Sequence, residues 1–478
     1  MKKTLIATLL ASTVALVSCK DDVPSNIFSD NTANVVSEVK FASFNVSFAK
    51  DGDATENYQR WVRYFQLTPE KQDYLIEIWK NDTATEEEHL LAERVIQIRN
   101  IAAIIQQNRP DVLLLTEFNN DGTGTDMAAL QGFQDNYLGV AQSLNSVDGG
   151  DMLAPIHYPF VQNYPTNTGL LPEDTSLDFG NDAVGGNASW PNGAYGFGYY
   201  HGHYGFALMS KFAVDTANTR TFQTFKWSEI PGETVPMIPT TDNTEHPCVA
   251  ADLPAGMVCG DPWYSPAEWQ AIRLSSKNHV DAPIIIPTAN GDKVIHALLS
   301  HPTPPAFDPI AWQNRYRNGA EIKFWSHYLN NESWIYDDKG QTGGFTGTDF
   351  VIMGDLNADP EFSSGMAYGI RDLMVDNLLV NHAVSESTGV LVPVSEGAAQ
   401  ENNSKGHPYP ATRTSTFGSR VDYAVPSKSL NALNTGVYWQ AEGQPGRLLF
   451  NDPRVGSNGD SKEVSSDHRF VWVTIKVD

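Results

Sequence analysis

Cysteine is scarce in this chain of 478 residues, which has 3 in all. No two of them form a CxxC pair, which excludes a zinc-thiolate centre. Basic residues are scarce too: Lys and Arg number 32 against 57 Asp and Glu, and no Lys/Arg run offsets the formal charge of −25. Such a surface argues against a tight non-specific grip on nucleic acid or anionic lipid, while a locally charged cleft can still hold a small substrate. No internal repeat and no long linker after residue 37 divides the chain. The apolar run Leu5 to Val17 is too short to remain as a spanning helix.

That run follows Lys2 and Lys3 and reads as a secretory signal over residues 1–18. Leu16-Val17-Ser18-Cys19 resembles the lipobox of bacterial lipoproteins, which implies cleavage before Cys19 and lipid on that residue. The polar stretch to Ser37 then forms a tether over residues 19–37. The expected location is the bacterial envelope outside the cytoplasm, with membrane contact through the N-terminal lipid only. Cys248 and Cys259 are left in an oxidising compartment and are expected to pair, pinning one loop.

With 41% hydrophobic and 11% aromatic residues, the chain has material for a large core. Short apolar runs recur at 39–46, 111–118, 204–214, 293–302, 349–357, 419–427 and 467–477, and read as strands. Between them, Glu86 to Asn108 carries Leu90, Leu91, Val95, Ile98, Ala102 and Ile105 at helical spacing, and Asn314 to Tyr328 forms a second helical stretch. Strands alternating with helices predict an α/β layered fold. Two Gly-, Asn- and Pro-rich segments, near 119–200 and 227–290, read as insertions that build a rim.

The stretch DFVIMGDLNADP, residues 349–360, runs an apolar strand into Asp355 and Asn357, two apart and on one side. Other strands end in the same manner. Asn45 closes the first, Glu117 follows the second and His301 a later one; Asp422 lies in another, and Asp467-His468 opens the last. Carboxylates, amides and imidazoles gathered at strand ends suit hard-metal and phosphate chemistry.

The ordered set FNV, LTEF, SHP, GDLN, RVDY and SDHRFV resembles the endonuclease/exonuclease/phosphatase superfamily across residues 45–468. The resemblance implies one catalytic domain over 38–478, built as two β-sheets packed face to face with flanking helices, a four-layer sandwich. It implies a divalent cation, Mg²⁺ or Mn²⁺ with Ca²⁺ as an alternative, held chiefly by Glu117, with Asn45 nearby and Asp467 completing the shell. Asp355 would deprotonate the attacking water and Asn357 would hold a phosphate oxygen. His301 and His468 would donate to non-bridging oxygens, and Asp422 would orient His468. His203 matches the strand that carries a phosphate-contacting residue, and Arg273 and Lys277 supply basic groups for phosphate or simply a basic turn. Apurinic endonucleases place an aspartate two residues after the first-strand asparagine, where this chain has Ser47. The function implied is a metal-dependent phosphoesterase acting on small mono- or diesters. A secreted nuclease with nucleic acid as substrate and a catalytically silent surface-binding protein stand as alternatives, and no protein partner can be inferred.

Overall fold

Val112 to Thr116 is buried at every position, so this segment lies between two layers. Val112 and Leu114 join a cluster shared with a second sheet, whereas Leu113 and Leu115 point the other way, against Ile98, Ile101 and Ile105 of a helix. Strand alternation thus divides one run of leucines between two cores.

The computed structural model describes residues 35–49, 57–181, 191–308, 310–362, 365–401, 406–456 and 463–478. The signal segment, Cys19 and the tether up to residue 34 lie outside the described residues. The strands are β1 (Glu38–Asn45), β2 (Val112–Thr116), β3 (Phe160–Asn163), β4 (Phe206–Ser210), β5 (Ala213–Val214) and β6 (Arg220–Thr221). They continue with β7 (His279–Thr288), β8 (Gly291–Ser300), β9 (Phe350–Asp355), β10 (Asp422–Pro426), β11 (Asn431–Val437) and β12 (Val471–Lys476).

Two mixed sheets result, one ordered β11-β12-β1-β2-β4-β3 and the other β10-β9-β8-β7-β5, with β6 also on β7. Each sheet holds one parallel pair, β1 with β2 and β8 with β9, and its other pairings are antiparallel. The sheets pack face to face, with β1 and β12 opposite β9 and β10. Phe41, Leu114, Val473, Val351, Met353 and Val425 fill the space between them.

Helices cover the outer faces, and the fold is the α/β sandwich expected from the alternation of strands and helices. Glu86–Asn108 begins with a capping box between Thr85 and Glu88 and ends where Arg109 turns left-handed. Gln313–Leu329 crosses the second sheet, with Trp325 Nε1 donating to Ser300 Oγ at 2.9 Å and Tyr328 Oη to Asp281 at 2.5 Å.

The segments read as insertions also contain sheet. β3 lies inside 119–200, and β7, with ten residues, lies inside 227–290. Pro283 and Pro287 disguise β7, because proline cannot donate to a ladder. Both sit where the flanking strand is short or absent: β5 and β6 pair only with Ile284, Ile285, Val280 and Asp281.

Candidate active site

Chain turns at the strand ends, several of them left-handed, aim the polar groups. β1 ends at Asn45, level with Thr116 of the parallel β2, so Glu117 emerges beside it. Glu117 (φ 57°), Ser47 (φ 47°), Tyr204 (φ 58°) and Asn357 (φ 52°) all adopt positive φ. Asparagine tolerates that region, whereas a glutamate or tyrosine there is strained by roughly 1–2 kcal/mol. In the second sheet, Asp355 is the last residue of β9 and faces Asp422, the first of β10, as a cross-strand pair. Two adjacent buried carboxylates repel unless something between them carries positive charge.

Asp355 Oδ2 is the centre. Asn45 Nδ2 donates to it at 3.0 Å, and His301 Nε2 and His468 Nε2 stand 3.5 and 3.7 Å away. The same Asn45 nitrogen donates to Glu117 Oε1 at 3.0 Å, so two carboxylates converge on one amide. Asp355 Oδ1 accepts from the Asn357 backbone N–H at 2.9 Å, which fixes the carboxylate plane. The Asn357 amide donates to Pro302 O at 3.1 Å. Behind His468, Nδ1–H donates to Asp422 Oδ2 at 3.0 Å, and the Asp422 backbone N–H donates to Thr414 Oγ1.

Electrostatics separates the two imidazoles. Burial opposes charge on His468, yet Asp422, Asp355 and Asp467 outweigh it and hold its pKa well above the ordinary value. Burial also pushes Asp422 up to about 6, so the Asp422–His468 pair retains a proton near neutrality. His301 goes the other way, held well below the ordinary value by burial, with Lys277 and His468 adding to the effect. One ring is therefore a charged donor and the other a neutral one. Lys277 is buried, and burial lowers its pKa against the pull of Glu321, Asp355 and Glu117.

The other residues singled out in the sequence fall in several places. Asp467 Oδ1 accepts from Ser47 Oγ at 2.6 Å, linking the entry to β12 with the exit of β1. Asn45 turns its nitrogen to the carboxylates while its oxygen accepts from Ser47 N at 3.0 Å. Use of that oxygen as a metal ligand would require the amide to rotate and give up these bonds. His203 is buried among Tyr199, Tyr200 and Tyr204. Arg273 donates to Asn167 Oδ1 at 2.7 Å and lies over the Tyr195 ring, and among the described residues no hydrogen bond or ion pair joins it to Asp355 or Glu117. Cys248 and Cys259 form a disulfide.

Two helices hold this arrangement from behind, through residues that sequence reasoning missed. In Glu86–Asn108, Gln97 Nε2 donates to Ser47 O at 3.1 Å and Ser465 O at 2.9 Å. In Gln313–Leu329, the Glu321 carboxylate accepts from Ser276 N and Thr303 N, both at 2.6 Å. Asn318 Nδ2 donates to Thr303 O at 2.8 Å and Leu356 O at 3.0 Å. Arg317 donates to Leu274 O, Arg273 O and Tyr195 O. The segments that carry Lys277, His301 and Asn357 are thereby tied to one helix. The available signal was a polar residue at an inward helical position, where apolar spacing predicts a hydrophobe.

The donor set fits a hard divalent cation. Glu117 and Asp355 converge on one nitrogen, and Asp422 Oδ1 is buried with no hydrogen-bond partner among the described residues. Ligand atoms of Asp355, Asp422 and His468 also lie within 4.8 Å of one another, although the proton held by His468 favours an ion pair there over coordination.

The sequence matches the model of the Endonuclease/Exonuclease/phosphatase family over residues 42–468. The chain belongs to that family. Endonuclease/exonuclease/phosphatase family members are hydrolases of phosphate esters, and this member carries a carboxylate and imidazole cluster at its strand ends. It is similar to an endonuclease/exonuclease/phosphatase from Bacteroides vulgatus, at 11% identity and TM-score 0.38, covering 93% of this chain and 100% of that one. A mannosyl-6-phosphatase of Bacteroides thetaiotaomicron is 12% identical with TM-score 0.35, covering 92% and 100%. Beta toxin from Staphylococcus aureus is 14% identical with TM-score 0.35, covering 91% and 99%. Comparison with curated proteins found no match.

Proposed function

We propose that this chain is an exported, divalent-metal-dependent phosphoesterase that hydrolyses small phosphate mono- or diesters, for phosphate or nucleotide scavenging. The observation that carries the reading is the sharing of Asp355 Oδ2 by Asn45, His301 and His468. Asp355, oriented by Asn357 N and Asn45 Nδ2, takes the proton of a water that attacks phosphorus. As the new P–O bond forms, the ester oxygen leaves in line with the electron pair of the breaking bond. Negative charge on the non-bridging oxygens meets His468, charged through Asp422, together with neutral His301, Lys277 and the second Asn357 amide proton. Glu117, with Asp467 reaching in through Ser47, would hold Mg²⁺, Mn²⁺ or Ca²⁺, which when bound polarises a phosphoryl oxygen.

The excess of acid over base disfavours a long duplex, which must be gripped along several phosphates. The signal and the Leu16–Cys19 lipobox support export and a lipid anchor on Cys19. Mass analysis of the N-terminus tests this; an N-terminus upstream of Cys19 rejects the anchor. For the chemistry, plasmid DNA, a chromogenic phosphodiester and a chromogenic phosphomonoester are assayed side by side with Mg²⁺, Mn²⁺ or Ca²⁺ and after chelation. Turnover of a small ester that is lost on chelation is expected. Hydrolysis that survives complete chelation contradicts the reading, and a far higher kcat/KM on plasmid makes the chain a nuclease.

A further inference from the structure

The turn 414–419 does more than connect strands. Arg469 N donates to Thr414 O at 2.7 Å, Thr416 N to Asp467 O at 2.9 Å, and Thr414 N to Ser419 O at 3.0 Å. Ser415 Oγ adds a bond to Ser419 O at 2.8 Å. These bonds fix the turn to the segment carrying Asp467 and His468. At its tip stands Phe417, whose ring meets the His468 imidazole with centroids 5.4 Å apart and planes at 73°. His468 is 5% exposed and Phe417 39% exposed, so the phenyl that meets the imidazole edgewise keeps part of its surface in solvent. A rigidly held aromatic surface is therefore presented beside a buried phosphate-binding donor. His468 Nε2 is 3.7 Å from Asp355 Oδ2, so the imidazole that the phenyl meets also borders the group expected to activate water.

We propose that Phe417 is a specificity-determining residue that stacks on a planar ring carried by the ester, so that the preferred substrates are aryl or nucleobase-bearing phosphates rather than aliphatic or sugar phosphates. This rests on the phosphoesterase reading above and adds the class of the esterified group. Stacking is chemically apt here. A planar ring is recognised through its π-face without charge, which suits a chain poor in basic residues, and the fixed turn has already lost the freedom that ordering a loop would cost. The competing role for Phe417 is to shield the Asp422–His468 pair from water. Shielding needs only apolar bulk, whereas stacking needs a flat ring.

The test is calorimetric binding of phenylphosphonate, cyclohexylphosphonate and methylphosphonate to the full chain and to its Phe417→Tyr and Phe417→Leu variants. Hydrolysis of a chromogenic phosphomonoester is followed separately. The wild type should bind phenylphosphonate roughly tenfold more tightly than cyclohexylphosphonate, the scale of one ring stacked on another. Phe417→Tyr should keep that ratio, and Phe417→Leu should bring it towards one. An adenine-bearing phosphonate tells the two sources of the ring apart. Added preference for it assigns the ring to a nucleobase, and none assigns it to a simple aryl ester. A wild-type ratio near one overturns the proposal without recourse to any variant, as does a ratio that survives in Phe417→Leu. Ring-selective binding with no turnover of the ester would reject the enzymatic reading and leave the ring preference standing.

Discussion

The two parallel pairs are built alike and fastened differently. In each, the chain passes from one strand to its parallel neighbour through a helix on the outside of the sheet: Glu86–Asn108 before β2 and Gln313–Leu329 before β9. Each helix reaches behind the loops of the proposed site with buried polar side chains. The first does so with neutral amides, Gln97 to Ser47 O and Ser465 O, and Asn100 to Val464 O. The second adds charge to an amide: Asn318 donates to Thr303 O and Leu356 O, the Glu321 carboxylate takes two backbone N–H groups, and Arg317 donates to three carbonyls. Hydrogen bonds to charged groups are stronger, and losing one partner leaves the other unsatisfied in a dry interior. The second crossover also holds more of the proposed site, since Lys277, His301 and Asn357 all lie within two residues of its anchors.

The comparison is broken most severely by Glu321→Gln. A carboxylate accepts from both Ser276 N and Thr303 N, whereas an amide presents a donor to one of them. We expect a loss of about 2–3 kcal/mol in denaturant unfolding. A fall in kcat larger than any rise in KM should accompany it, because the loops shift the groups that act on the transition state. Unchanged kcat in the folded variant would reduce Glu321 to a purely architectural residue.

A smaller effect sharpens the same contrast through pH. His279 Nε2–H donates to Glu321 O at 2.8 Å, and burial lowers the pKa of this ring to about 4. Between pH 6.5 and 4 the unfolded chain takes up a proton that the folded chain refuses. The contribution of His279 to stability is thus intact above pH 6.5 and declines as pH falls, with a slope approaching about 1.4 kcal/mol per pH unit. Urea titrations at pH 7, 6 and 5 on wild type and His279→Gln measure it, and the variant should show the shallower slope. Parallel curves would remove His279 from the account.

The smallest change expected is Gln97→Ala on the first crossover, which leaves two carbonyls without a donor. About 1–2 kcal/mol of stability should be lost, with a milder effect on kcat than in Glu321→Gln. An equal or greater effect on kcat would reverse the ranking of the two helices.

The same contrast explains what could be read in the sequence. Asn45, Glu117, Asp355 and Asn357 announce themselves because each follows a short apolar strand, and a strand end fixes where its next side chains point. The helix Glu86–Asn108 is legible for a similar reason, from its spacing and its Thr85–Glu88 cap. Glu321 is not, because its partners lie 45 and 18 residues away and nothing local marks them. β7 is hidden by Pro283 and Pro287, which it tolerates on the side where β5 and β6 pair with it over only two residues each. The orientation of Asn45 is likewise a three-dimensional fact: only the N–H of Ser47, itself in a left-handed turn, decides which end of the amide faces the carboxylates.

The central claim is that Asp355 activates water within a cluster assembled by both sheets. It is tested most directly by phosphate release from a small ester, with Mg²⁺ or Mn²⁺ present, comparing the full chain with Asp355→Asn. The substitution keeps size and shape, so circular dichroism and melting should change little. The account predicts a kcat lower by roughly a hundredfold or more, the scale of a lost general base. Equal kcat in the folded Asp355→Asn variant would contradict it.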